Sequence, residues 1–550
     1  MSAIAELEKW LASPALSDAE KDELKAVRAD AAEVEARFFA PLPFGTAGLR
    51  GVCGVGLNRM NRHIIRWTTQ AFAEIIAQNG GGEVAVCYDP RHDSLDFARA
   101  AAEVFAGNGL RVRIFDDIRP TPELSFAVRE YHCAAGVNVT ASHNTREYNG
   151  YKLYGSYGSQ LPPDDASRVA KRMAELDIFA DIRRLDFDAA FSQGLITEMG
   201  AETDAAFLAA ALGEVTDTQI VPEVAERLKI VYTPFHGAGR VLVPEALRRL
   251  GVKHLFPVAE QMIPDGDFPT VASPNPENPE SFALAVALAE RVDADLIIGT
   301  DPDSDRIAIL VRDSGVYTHI SGHKTGVLLL DYLLGARKKA GRLPENAVAL
   351  KTIVTTDMAR AVAESHGAQS FDTFTGFKFM AERKRELEQS GAGKVIFAYE
   401  ESYGYMIGDF VRDKDAVTAA ALLTEMTAHY LAQGKTLLDA LGGLYEKLGY
   451  YEEAAISLVM PGLDGLRNMQ ALMRRLRDTP PAEIAGARVT ATHDYIPDGS
   501  DVLRFGLDDG TAILIRPSGT EPKIKVYVLA RGDTKKYAEW AKNLSAAAPE

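Results

Sequence analysis

The chain has 550 residues, a formal net charge of −17, 25% charged and 47% hydrophobic residues. That is an ordinary globular balance, long enough for roughly three or four domains with a core each. So acidic a chain argues against nucleic acid or an anionic membrane as partner, because both select basic faces. An anionic ligand would have to find its positive charge locally, in loops. Cys53, Cys87 and Cys133 are far apart and form no CxxC pair, which excludes a zinc knuckle or disulfide framework and suits a reducing cytoplasm. "MSAIAELEKW" lacks the basic-then-apolar pattern of a secretory signal. No run reaches the roughly 18 apolar residues of a membrane span; "GVLLLDYLLGA" comes nearest and is broken by Asp331.

Residues 1–39 read as helices, with Ser17 and Glu20 in a capping-box pattern. Beyond them, short β-branched runs alternate with amphipathic stretches. "EVAVCY" (83–88), "RVRIF" (111–115) and "AGVNVT" (135–140) are expected strands. So are "KIVYT" (229–233), "DLIIGT" (295–300), "KVIFAY" (394–399) and "TAILI" (511–515). The alternation predicts an α/β fold with mostly parallel sheets. Composition shifts divide the chain into segments 1–205, 206–315, 316–447 and 448–550. The first three share an α/β character that hints at a repeat, although no strict period is visible.

The chemically unusual loops follow directly on expected strands: "ASHN", "DPDSDR", "EESYGY" and "RPSGTEP". In open parallel sheets ligands bind at the carboxyl ends of strands, so the four loops could line one cleft. In "GTDPDSDR", Asp301, Asp303 and Asp305 can converge only in a tight loop, and three carboxylates together call for a hard cation, Mg²⁺ or Ca²⁺. An EF-hand fails, since Arg306 and Arg312 stand where Gly and Glu are required; a solvated acidic turn is the competing reading. "RPSGTEPKIKVY" offers Arg516, Ser518, Gly519 and Thr520, an inventory for gripping phosphate, or else a turn between strands. Glu400 and Ser402 pair an acceptor with a donor, suited to vicinal hydroxyls. "AQGKTL" lacks the first glycine of a P-loop and "HGAGRV" the third of a dinucleotide fingerprint, which disfavours a nucleotide-driven kinase.

"TASHNTREYNGYKLYG", "GTDPDSDR", "EESYGY" with "RDKD", and "RPSGTEP" resemble, in order and spacing, the active-site loops of the α-D-phosphohexomutase superfamily. "FGTAGLRG" is similar to its N-terminal arginine loop. "TPFHGAGR" and "DTFTGFKFM" resemble the phosphoglucomutase/phosphomannomutase branch that also contains phosphopentomutases. The resemblance implies three related α/β domains with mixed, mostly parallel sheets and a smaller C-terminal α+β domain around a central cleft. It implies that Ser142 carries a phosphoryl group, and that Asp301, Asp303 and Asp305 hold one Mg²⁺ together with that phosphoserine. Arg50, His143, Lys152 and Lys414 are implied in proton transfer and charge stabilisation. Glu400, Ser402, Gly376, Lys378, Arg306, Arg516, Ser518, Gly519, Thr520 and Lys525 are implied in holding substrate. Many relatives carry Arg where Lys525 stands.

The implied reaction is the interconversion of glucose 1-phosphate and glucose 6-phosphate through a glucose 1,6-bisphosphate, which also serves as activator. Mannose and pentose phosphates are alternative substrates on the same site. A sugar-phosphate phosphatase and a silent sugar-phosphate sensor are the readings from other classes. The expected partners are small sugar phosphates alone, and the expected form is a monomer or weak homodimer in the cytoplasm.

Overall fold

The computed structural model describes residues 2–44, 48–460, 465–517 and 523–544. Three capped helices open the chain: Ala3–Ala12, Asp18–Val27 and Ala31–Phe38. Ser2, Ser17 and Asp30 each accept first-turn N–H groups, and Ser17 with Glu20 completes the capping box. Leu7, Trp10 and Phe38 join the core of the first sheet, with the Trp10 ring edge-on to Phe38 at 5.6 Å and Phe179 at 5.2 Å. These helices are packing elements of the first domain.

All seven expected strands form. The first sheet runs in the order Leu49–Val52, Tyr148–Gly155, Ala135–Val139, Glu83–Tyr88, Arg111–Phe115 and Ile196–Met199. The second runs Val316–Ile320, Ile307–Asp313, Leu296–Thr300, Lys229–Thr233 and His254–Pro257. The third runs Gly404–Ile407, Lys394–Glu400, Ala347–Thr352 and Gln369–Thr373. In each, one inner strand pairs in parallel with the strand on one side and turns back antiparallel into the strand on the other. Those inner strands are Ala135–Val139, Leu296–Thr300 and Lys394–Glu400. The loops that leave them begin with Thr140, Asp301 and Glu401. The repeat absent from the sequence is present in the topology, and it puts the three loops at equivalent places.

The second sheet continues past residue 315. Ser314 (φ 49°) and Gly315 (φ 86°) make "RDSG" a hairpin turn, and Val316–Ile320 pairs back onto Ile307–Asp313. The C-terminal sheet is antiparallel, built from Glu452–Val459, Lys523–Ala530, Ala512–Pro517, Leu503–Leu507, Ala487–Asp494 and Glu483–Ile484. Helices Gly465–Asp478 and Lys535–Asn543 cover it. One apolar cluster runs through the second and third sheets, whereas the first and the C-terminal sheets have their own. Apart from the exposed Lys394, the inner strands are buried along their length, as sheets covered by helices on both faces require. Among the described residues, no helix is long and apolar enough to cross a membrane.

Candidate active site

Ser142 follows strand Ala135–Val139 by three residues and is buried in the left-handed backbone region at φ 52°. A serine there is uncommon and has to be held. Its N–H donates to Thr140 Oγ1 at 2.8 Å. From below, the buried Arg91 guanidinium donates to Ser142 O at 2.6 Å, Thr145 O at 2.8 Å and Tyr148 O at 2.9 Å, and also to Asn144 O. Asp89 pairs with Arg91 at 3.1 Å and accepts from Ser94 Oγ at 2.7 Å. With its backbone so fixed, the Ser142 hydroxyl points out of the first domain. Oγ donates to Asp301 Oδ2 at 2.7 Å and lies 3.1 Å from His143 Nδ1.

Asp301 opens the loop after strand Leu296–Thr300. Its Oδ1 accepts from the N–H groups of Asp305 at 3.1 Å and Arg306 at 3.0 Å, which curls the chain so that Asp303 and Asp305 turn inward. "TPFHGAGR" closes over this loop: Ala238 N donates to Pro302 O at 2.8 Å, and a Cβ on Gly237 would lie 2.5 Å from Pro302 Cα. Only glycine allows that approach. The three aspartates are buried, and one carboxylate oxygen of each lies within 4.8 Å of the others. Asp303 Oδ2 accepts from Lys152 Nζ at 2.7 Å and Thr121 Oγ1 at 2.8 Å, and Asn138 in turn donates to Thr121 at 2.8 Å. Asp305 Oδ2 lies 3.3 Å from Lys152 Nζ and 3.2 Å from Lys414 Nζ.

These two lysines leave Asp303 Oδ1 and Asp305 Oδ1 buried without a hydrogen-bond partner, Asp305 Oδ1 having only the Arg306 guanidinium at 3.9 Å. Burial and the charges of Asp303 and Asp305 push the Asp301 carboxyl well above its usual range. Against burial, Lys152 holds Asp303 below its own. The orphaned oxygens of this loop are hard donors, and the three converging carboxylates fit a small divalent cation.

Against burial, Asp303 and Asp305 raise the Lys152 ammonium, and Asp305 and Asp413 raise that of Lys414. Burial lowers His143 well below its ordinary value, helped by the Arg306 and Arg50 charges. Burial and Arg306 also lower Arg50, which donates to Asn144 Oδ1 at 3.0 Å from its strand position opposite Gly150.

The third loop meets the second through an antiparallel bridge between Arg306 and Gly404, and Ile307 N donates to Tyr403 O at 3.0 Å. Glu400 ends its strand buried beside Lys414. A Cβ on Gly404 would lie 2.2 Å from Lys414 Cδ and 3.1 Å from Glu400 Oε1. Glu401 is tied to Thr352 and Thr355 at 3.0 and 3.1 Å, and Ser402 is half-buried in the turn. Arg306 Nε has no hydrogen-bond partner. Gly376 (φ 114°) precedes helix Phe377–Ser390, whose Phe377 ring centre is 5.2 Å from Lys414 Nζ; Lys378 lies over the Phe379 ring.

Ser142, His143, Arg50, Lys152, the three aspartates, Arg306, Glu400 and Lys414 therefore come together. Arg516 and Lys525 do not join them directly: they are cross-strand neighbours on the C-terminal sheet. Among the described residues, no hydrogen bond or ion pair links either one to the Ser142 cluster. That sheet meets the third through Ile353 and Val354 against Val502, Leu514 and Tyr527, and through Arg504 with Asp357 at 3.3 Å. Ser518, Gly519 and Thr520 lie outside the described residues. Sequence reasoning missed Asp89, Arg91, Thr121 and Asn138. "CYDPRHDS" carried the one available signal, a charged pair directly after a strand.

Residues 41–178, 209–315 and 321–448 match the phosphoglucomutase/phosphomannomutase alpha/beta/alpha domains I, II and III, and 470–547 match the C-terminal domain. The chain belongs to the phosphoglucomutase/phosphomannomutase family. It is 35% identical to the phosphoglucomutase of Staphylococcus haemolyticus (strain JCSC1435), over 90% of this chain and 91% of that one. It is 36% identical to the phosphoglucomutase of Staphylococcus aureus (strain bovine RF122 / ET3-1), over 89% and 90%. The crystal structure of parafusin, a phosphoglucomutase from Paramecium in its open form, has the same fold. The TM-score is 0.69, with 18% identity over 92% of this chain and 95% of that one.

Proposed function

We propose that this member of the phosphoglucomutase/phosphomannomutase family is a phosphoglucomutase, which interconverts α-D-glucose 1-phosphate and glucose 6-phosphate on a phosphorylated Ser142. The observation that carries the reading is the 2.7 Å hydrogen bond from Ser142 Oγ, at the tip of one sheet, to Asp301 in the carboxylate cluster of another. A serine hydroxyl alone is a poor nucleophile and needs positioned charge around it. The names of the relatives give the substrate class.

In the forward direction the hydroxyl on C6 of glucose 1-phosphate attacks the phosphorus of phospho-Ser142. The P–Oγ bond breaks, and a glucose 1,6-bisphosphate is left with a free seryl oxygen. The sugar turns over in the cleft, Oγ takes the phosphoryl group from C1, and glucose 6-phosphate leaves. Added bisphosphate restores phosphoserine to enzyme that has lost it. Asp301, Asp303, Asp305 and phospho-Ser142 would hold Mg²⁺, which when bound would supply Lewis-acid withdrawal of charge from the phosphoryl oxygens.

The chain's own residues do the rest. Lys152 and Lys414 stay cationic and offset phosphoryl charge. His143, 3.1 Å from Oγ, is within reach of the Ser142 proton. Arg50 and Arg306, whose Nε makes no hydrogen bond, add positive charge to the same cluster. Glu400 and Ser402 hold sugar hydroxyls, with Gly376 and Lys378 beside them. Arg516, Ser518, Gly519, Thr520 and Lys525 hold the phosphate that is not being transferred. In this scheme 1–205 carries the phosphoserine, 206–315 the metal loop, 316–447 the sugar loop and 448–550 the phosphate grip. Three free cysteines suit a reducing cytoplasm.

The test is one panel with Mg²⁺ and trace bisphosphate: the 1-phosphates of glucose, mannose, glucosamine and ribose. Glucose 1-phosphate is expected to turn over fastest, with little inorganic phosphate released. Faster turnover of ribose 1-phosphate would overturn the substrate, steady phosphate release would make the protein a phosphatase, and a fully active Ser142→Ala would overturn the mechanism.

A further inference from the structure

Two lysines enter the carboxylate cluster, but they are supported differently. Lys152 issues from the strand Tyr148–Gly155 and is fixed by Asp303 and Asp305. Lys414 issues from the loop between strand Gly404–Ile407 and helix Ala416–Ala432. A flexible four-carbon stem on a loop needs a second anchor to place its charge reproducibly.

That anchor is Asp413. Its Oδ1 accepts from Lys414 Nζ at 3.1 Å and from the Lys414 N–H at 2.9 Å. Its Oδ2 is occupied from the first domain, where the Tyr154 hydroxyl donates at 2.8 Å and the Gln160 amide at 3.0 Å. Tyr154 and Gln160 face each other across an isolated antiparallel bridge, and both Tyr154 and Asp413 are buried. Burial and the Asp413 charge raise the Tyr154 phenol well above its ordinary value, so it donates at any working pH. The same loop is pinned on both sides of this contact. Arg412 N donates to Ser125 Oγ at 2.8 Å, and the Arg412 guanidinium sits 4.6 Å from the centre of the Tyr157 ring. Asp415 caps the following helix by accepting from Val417 and Thr418.

From this chain of contacts we infer that Tyr154 and Gln160 are positioning residues: through Asp413 they aim Lys414 at Asp305, so the first domain sets the place of a charge carried by the third. A carboxylate gripped by two donors on one oxygen cannot swing, and the ammonium bonded to its other oxygen is confined with it. Without the grip, Asp413 is free to follow Lys414 away from the cluster. The kinetic consequence rests on the phosphoglucomutase reading; the geometry does not.

The experiment uses the full chain as parent, Tyr154→Phe, Gln160→Leu and Lys414→Gln, with each of the first two also combined with Lys414→Gln. Timed acylation with acetic anhydride, quantified by peptide mass mapping, reads the tether directly. Lys414 should label several-fold faster in Tyr154→Phe and in Gln160→Leu, while Lys152 labels as in the parent. In the mutase assay, Tyr154→Phe should lower kcat about tenfold, the size of one lost hydrogen bond to a charged group, with KM within about twofold. Neither substitution should lower the residual rate further in the Lys414→Gln background, because the residue they act through is gone.

Unchanged Lys414 labelling in both single variants would overturn the inference. So would an equal loss of rate with or without Lys414, the mark of a merely structural role. If Tyr154→Phe fails to fold, the half-buried Gln160→Leu carries both readouts. A parent that does not interconvert sugar phosphates sinks the proposed function alone, since the labelling still reports the tether.

Discussion

Arg91→Met is expected to unlock the Ser142 loop while keeping most of the buried stem. Arg91 is 3% exposed, and its guanidinium satisfies four backbone carbonyls between Ser142 and Tyr148. It also neutralises Asp89, 1% exposed, at 3.1 Å. Methionine offers none of those donors and leaves Asp89 as a buried charge without its partner. Breaking a buried ion pair from one side costs about 3–5 kcal/mol. A domain of this size loses roughly 2–4 °C in melting temperature per kcal/mol, so its transition should fall by roughly 6–20 °C. Calorimetry of parent and variant reads that shift, and removing the stranded charge with Asp89→Asn in the Arg91→Met background should recover part of it. Because Ser142 holds φ 52° only under this clamp, turnover should fall about a hundredfold even below the transition, the usual effect of a small misplacement of a reacting group. A variant with the parent's melting temperature and turnover would refute the claim that Arg91 builds the loop.

Gly404→Ala puts a Cβ 2.2 Å from Lys414 Cδ, so the lysine must leave its place beside Glu400 and Asp305; turnover should fall about tenfold to a hundredfold at temperatures well below the transition, and unimpaired turnover would sink this packing argument. Asp415 supplies a pH test. Burial pushes its carboxyl up to about 6, so between the unfolded value near 4 and about pH 6 the folded chain binds the extra proton. Stability from this group is therefore present below about pH 4 and is lost as pH rises to about 6, by about 2–3 kcal/mol. Urea midpoints of parent and Asp415→Asn compared across pH 4–7 should show that slope only in the parent; identical slopes would remove Asp415 from the account.

Much of the fold is written locally. The capping box at Ser17 and Glu20 forms, and the apolar runs ending at Thr140, Thr300 and Tyr399 form strands to within a residue of those ends. The hairpin through Ser314 and Gly315 also rests on local chemistry: "DSG" suits a turn, and the strand beyond it, "VYTHI", is half exposed and so carries a weaker apolar signal. The three-fold repetition of strand order was hidden for a different reason. A strand covered on both faces asks only for apolar residues, so sequence can drift while topology persists.

The sequence by itself determined which chemistry each loop could offer: a hydroxyl at Ser142, carboxylates at Asp301, Asp303 and Asp305, and ammonium groups at Lys152 and Lys414. Tertiary structure alone decided that they meet. Ser142 and Asp301 are 159 residues apart, Lys152 and Asp303 are 151 apart, and Tyr154 and Asp413 are 259 apart. No local signal encodes such pairs, because each depends on how whole sheets pack, and a side chain's own neighbours say nothing of the domain it will face. The same holds for Arg91, whose value lies in four carbonyls that exist as a set only once the loop above it has folded.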